Sequence, residues 1–128
     1  MSKSSIDFEP VRKIGLTLPG VEEGTAYGVP ALKVHGKLLA CEPSHRSAEP
    51  GSVVVRMGFE DRAQLLAEAP DVYYVTDHYV DYSAVLVRLS RVSPGILRDL
   101  LNMAYKFVTA GGTPRAGSPT RRKTRSRK

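Results

Sequence analysis

Residues 72–89, VYYVTDHYVDYSAVLVRL, hold two runs of branched and aromatic side chains, 72–76 and 84–89, separated by a short polar link. Such runs suit a pleated, half-buried surface, and two joined so closely are expected to be antiparallel neighbours. The second run is apolar enough to lie near the middle of a sheet. Side chains alternate across a strand, so Val85, Val87 and Leu89 are predicted to face the core, with Ala84, Leu86 and Arg88 facing away.

With 128 residues, 41% of them hydrophobic, the chain can bury one self-supporting core and fits a single domain. The single cysteine, Cys41, excludes an internal disulfide and fits a reducing compartment. The opening MSKSSIDFE lacks the apolar run of a signal peptide, and no stretch is long enough to span a bilayer. The expectation is a soluble, cytoplasmic protein with no membrane partner. Its net charge of +6 divides by position. Residues 110–128 carry seven cations (Arg115, Arg121, Arg122, Lys123, Arg125, Arg127 and Lys128) and no acid. Taking those seven from the 19 basic residues leaves 12 against 13 acids in 1–109, a nearly neutral body with a strongly basic tail.

Along the chain, residues 7–18 read as a helix on the spacing of Phe8, Val11, Ile14 or Gly15, and Leu18, with Pro10 expected in the first turn and Pro19-Gly20 as the stop. Val21-Glu22-Glu23-Gly24 reads as an acidic turn. Residues 31–35 and 38–42 read as strands about a tight turn at Gly36-Lys37, and 52–57 as a further strand after a loop rich in Pro, Gly and Ser. Residues 60–69 form a short predicted helix with Leu65, Leu66 and Ala69 inward. Ser93 as N-cap and Pro94 as first helical residue open a last helix, striped by Ile96, Leu97, Leu100, Leu101, Ala104, Phe107 and Val108 and ending at Gly111-Gly112. Beyond it the composition predicts disorder. The fold class is therefore α+β: an antiparallel sheet with helices packed on one face and the other face open, as domain 1–109, followed by a disordered basic tail, 110–128.

Residues 18–34, LPGVEEGTAYGVPALKV, followed by Gly36-Lys37, closely resemble the N-terminal signature of the MmcQ/YjbR family. Residues 73–79, YYVTDHY, together with 85–89, VLVRL, and the amphipathic closing helix resemble its later blocks, so the likeness covers residues 7–109. It implies a small α+β domain of CyaY-like architecture, and DNA binding through a double-wing arrangement of β-hairpins. Ala84 departs from the pattern where an aromatic residue is often found, and the basic tail lies outside it. CyaY suggests iron, but the first helix offers only Asp7 and Glu9, and no iron activity is carried over.

Three strands interrupt an apolar run with a cation in the same way: Leu32-Lys33-Val34, Val55-Arg56-Met57 and Val87-Arg88-Leu89. If the valines face the helices, Lys33, Arg56 and Arg88 face away, with Lys37 at a hairpin tip. Strands about 4.8 Å apart would space such a row on the scale of successive phosphates, which makes the open face a candidate nucleic-acid surface. The plainer alternative is a solvated face whose cations pair with Glu42 or a neighbouring acid. Arg121, Arg122, Lys123, Arg125, Arg127 and Lys128 of the tail are a second candidate for salt-sensitive attraction to nucleic acid, or else a solubilising extension.

Tyr73, Tyr74, Tyr79 and Tyr82, with His78, form a candidate rim that could stack on bases, line a small pocket or simply close the end of the core. Cys41 and His45 are separated by Pro43 and, with His35 and His78, do not make a metal-ligand pattern. No nucleophile-elbow, Walker or dinucleotide motif is present, so neither catalysis nor a cofactor is expected. Two readings follow: a non-catalytic module binding DNA with low sequence specificity through the open face, hairpin tips and tail, or a non-catalytic module taking a protein or small ligand at the rim 73–82. An enzyme using that rim is a third option.

Overall fold

The computed structural model describes residues 3–110, with side chains from Phe8 onward. The elements are α1 (Lys3–Gly15), β1 (Val21–Ala26), β2 (Val29–Val34), β3 (Lys37–Cys41), β4 (Ser52–Arg56), α2 (Phe59–Glu68), β5 (Tyr73–Tyr74), β6 (Ala84–Arg88), a turn of 3-10 helix (Leu89–Arg91) and α3 (Pro94–Thr109). All six strands make one antiparallel sheet in the order β1-β2-β3-β4-β6-β5, with the helices on one face, so the predicted α+β class is the one formed. The basic tail from residue 111 lies outside the described residues.

Two-residue turns build the first three strands. Tyr27-Gly28 and His35-Gly36 both hold positive φ, 55° and 80° in one, 54° and 77° in the other, the geometry whose twist matches that of a hairpin. The first of these turns throws residues 21–26 back along β2, pairing Val21 with Val34 and Glu22 with Lys33. The expected acidic turn is therefore an edge strand. Of its six residues only Val21 is buried, so it lacks an alternating pattern, and its acids blunt an edge that would otherwise invite pairing. In β3 the register skips Leu39, a bulge that lets Leu39 and Ala40 both join the helix-side core.

Helix α1 begins at Lys3, so Pro10 sits in its interior rather than in its first turn. Gly15 ends it against the sheet, where an added Cβ would run into Leu32. In α3 the Ser93 hydroxyl accepts from the Ile96 N–H at 3.2 Å, and Leu97, Leu100, Leu101, Ala104 and Val108 are buried, while Ile96 stays exposed. These side chains meet Phe8, Val11, Leu32, Val34, Val53, Val55, Val85 and Val87 in the main core, against which Leu65, Leu66 and Leu89 also pack. No helix among the described residues is long and apolar enough to cross a membrane.

The sheet face away from the helices departs most from expectation. Ala84 and Leu86 do point there, as alternation requires, yet they are 2% and 1% exposed. With Ala31, Cys41, Val54 and Tyr79 they form a second apolar cluster, covered by the chain at 43–51 and 75–83. Over β3, β4 and β6 this face is therefore covered, while Glu22 at the β1 edge stays exposed. Residues 75–76, expected to continue β5, instead leave the sheet to begin that cover, and Tyr79 is the buried side chain that anchors it.

Candidate functional site

Between the two covering loops lies a cavity of about 430 Å³, floored by Leu38, Cys41, Val54 and Ala84 and walled by His45, His78, Tyr79 and Tyr82. The walls are an aromatic stack. The imidazoles of His45 and His78 lie 3.8 Å apart and 8° from parallel, and His78 meets Tyr79 and Tyr82 edge-on at 4.8 and 5.9 Å. Tyr79 Oη accepts from the His45 N–H at 3.2 Å, and Ser47 Oγ bonds Thr76 Oγ1 at 2.8 Å, so the loops tie to each other as well as to the sheet.

Two arginines brace these loops from outside. Arg62 of α2 lies over the Phe59 ring at 4.7 Å and donates to the carbonyls of Tyr82 (2.8 Å), Val80 (3.0 Å) and Ala84 (3.2 Å). Burial pushes its pKa down, and Asp81 partly restores it. Arg88 grips Glu49 through both carboxylate oxygens and lies over Tyr74 at 4.3 Å. Tyr74 Oη in turn accepts from the Glu49 N–H at 2.7 Å and bonds Ser52 Oγ at 2.7 Å. These contacts clamp the C-terminal end of the 43–51 loop, and the His45–Tyr79 and Ser47–Thr76 bonds hold its other half.

A third arginine sits in the cavity wall itself. Arg56 Nε donates to the Ser83 carbonyl at 2.9 Å and Nη2 to Ser83 Oγ at 2.8 Å, and its guanidinium lies 5.4 Å from the centre of the Phe107 ring. Burial lowers its pKa. Cys41 in the floor has its thiol pushed up to about 12, by burial first and by Glu42 second, so it stays protonated and a poor nucleophile at neutral pH. Among the described residues no group of three or more His, Cys, Asp or Glu could hold a metal ion.

The cations expected to form a row are thus placed apart. Lys33, Arg56 and Arg88 flank valines of the helix-side core as expected, but the β4–β6 register sets Arg56 opposite Ala84 and Arg88 opposite Ser52. Four strand positions, about 13 Å, separate the two arginines, and both are engaged by protein groups. Lys33 is half-buried across from Glu22, and Lys37 is exposed beside the His35-Gly36 turn. The tail cations Arg121, Arg122, Lys123, Arg125, Arg127 and Lys128 lie outside the described residues.

The rim is split as well. Tyr73 is buried in the helix-side core and Tyr74 lies under Arg88, which leaves His78, Tyr79 and Tyr82 at the cavity. Sequence patterns gave no hint of Tyr27, Asp81 or Ser83 in its lining, nor of Arg62 as a brace.

The crystal structure of Deinococcus radiodurans protein DR2400, which carries the domain DUF419, resembles this fold with a TM-score of 0.66 and 21% identity over 80% of this chain and 78% of that one. No curated protein matches. The YjbR family profile matches residues 16–107, a span that takes in every strand, both covering loops, Arg62 and nearly all of α3. The segment that builds the cavity is the segment that the profile describes, and the chain belongs to the YjbR family.

Proposed function

We propose that this protein is a non-catalytic binding module whose site is the aromatic cavity between residues 43–51 and 75–83. One observation carries the reading: the cavity has an apolar floor and ring-lined walls, and its two loops are tied in place by hydrogen bonds from Arg62 and Arg88. Concave, mostly apolar sites with a few convergent polar groups are the common form of small-ligand sites, and this volume falls in their range. The protonated thiol of Cys41 is not an activated nucleophile, which sets thiolate chemistry aside at the cavity floor.

A survey of small ring compounds by protein-observed NMR tests this. The expected hits shift the signals of His78, Tyr82 and Ala84 and lose that effect in Ser44→Trp, where an exposed loop residue of the lining is enlarged to fill the space. A survey in which no compound shifts those signals overturns the reading.

A second reading, contact with the DNA backbone, is supported by the seven cations of 110–128 and by Lys33 and Lys37. On this reading the tail supplies the affinity, because the rest of the chain is nearly neutral. Titration of the full chain and of residues 1–109 against duplex DNA across salt should show a steep salt slope that disappears with the tail. Equal slopes would overturn it.

A further inference from the structure

We propose that the cavity takes a small planar organic acid, with its anionic oxygens on Arg56 and its ring among His78, Tyr79 and Tyr82. This rests on the cavity being a ligand site and goes on to name the ligand's chemistry. Arg12, Arg88 and Arg91 each form an ion pair, whereas half-buried Arg56 and Arg62 form none among the described residues, and of these two only Arg56 lines the cavity. A cation drawn partly out of water without a counter-charge is costly, and an entering anion would offset that cost.

The guanidinium is also held in one orientation. Ser83 takes the Nε–Nη2 edge, and the guanidinium carbon sits over the Phe107 ring of α3 at 5.4 Å from its centre. Of its five N–H donors, three remain: both on Nη1 and one on Nη2. That edge offers two parallel N–H groups, the fork that a carboxylate or phosphate accepts with both oxygens.

The rest of the lining fits one negative charge on a flat apolar body. Asp81, the lining's one carboxylate, is exposed and acts on Arg62. Leu38, Val54 and Ala84 offer apolar surface, and the edge-on rings around His78 offer faces and edges for one more ring. Tyr27, at the tip of the β1–β2 hairpin, also lines the cavity and lies within electrostatic reach of Arg56. It is 74% exposed, so its hydroxyl is available as a further donor to the same anion.

The test uses the full chain and matched probes: benzoate, cinnamate and phenyl phosphate as anions, benzamide and cinnamamide as neutral isosteres, and benzylamine as a cation. NMR titration should place the acids at His78, Tyr82 and Ala84, with the amides weaker by about tenfold or more. That contrast should vanish in Arg56→Gln. The wild-type comparison of acid with amide stands even if the variant does not fold. Binding by either oxyanion class supports the proposal, and their ratio distinguishes carboxylate from phosphate. Amides or benzylamine binding in the cavity as tightly as the acids would overturn the ligand class and leave the cavity reading intact. No shift from any probe or from the wider ring survey would overturn both.

Discussion

Arg88 and Glu49, 39 residues apart in sequence, meet fork to fork, Nε to Oε1 at 2.8 Å and Nη2 to Oε2 at 2.7 Å. Nη1 of the same guanidinium reaches the carbonyls of Asp71 (3.0 Å) and Pro70 (3.3 Å), so one side chain joins the 43–51 loop to the approach to β5. The hydrogen bond from Arg88 holds the Glu49 carboxyl below the ordinary carboxylate range. A lowered folded pKa means that the contribution is complete above the unfolded value and is lost as pH falls through the folded one. The wild type is therefore expected to melt above Glu49→Gln near neutral pH, with the gap closing below about pH 4. Thermal melts of both proteins across that range check this, and a gap that does not change with pH would contradict it.

The second apolar cluster makes a sharper claim about Leu86, which is 1% exposed on the face away from the helices. If that face were solvated, Leu86→Ala would cost no more than about 0.5 kcal/mol. Because Leu86 is packed under the covering chain, the expected loss is about 2–5 kcal/mol, as for a core leucine such as Leu101. Urea unfolding of the two alanine variants decides between these values.

Much of the fold is legible in the sequence because its signals are local. The hairpin turn, formed by His35-Gly36 one residue ahead of the expected Gly36-Lys37, the Ser93-Pro94 start of α3 and the alternation of Val85 and Val87 each act over a few residues. β1 is not, since its burial depends on the hairpin that returns it to β2 rather than on its own VEEGTA pattern. The cavity is less legible still. Tyr27, His45, Arg56 and Tyr82 come together only through the paths of two loops, and which groups Arg88 and Arg56 satisfy depends on the β4–β6 register. One clue was present: SVVVR and AVLVR are apolar at successive positions, a pattern of strands covered on both faces, whereas a one-sided sheet would alternate with polar residues.

Cys41 provides a probe of that cover. Its thiol is buried in the cavity floor and pushed up to about 12, so thiolate is scarce near pH 8. Modification by a disulfide reagent should be slow in the native protein and should accelerate in step with unfolding as urea is added. Fast native labelling at pH near 8 would show that the floor opens without global unfolding.

Arg62 is expected to hold the 80–84 segment in place. Arg62→Ala removes the donors to the Val80, Tyr82 and Ala84 carbonyls and the guanidinium over Phe59, at an expected cost of about 1–2 kcal/mol. Hydrogen exchange should then speed up in the 77–84 segment while the α3 amides change little. Uniform acceleration across the chain would assign Arg62 to global stability instead.

Tyr27 sets stability against binding. Its φ of 55° lies in the left-handed region, where a bulky side chain is disfavoured and asparagine or glycine is the usual occupant of a two-residue hairpin turn. The ring is 74% exposed, so little packing offsets that strain, yet it stands at the cavity beside Arg56. Strain retained at a site edge is the pattern expected of a residue kept for its ligand contact. Tyr27→Asn should therefore stabilise the fold by about 0.5–1 kcal/mol in urea unfolding while weakening the binding of benzoate. Tyr27→Phe should keep the strain and lose only the hydroxyl, separating hydrogen bonding to the anion from coverage by the ring. If Tyr27→Asn gains stability without losing affinity, the tyrosine has no part in the site and the anion is held by Arg56 alone.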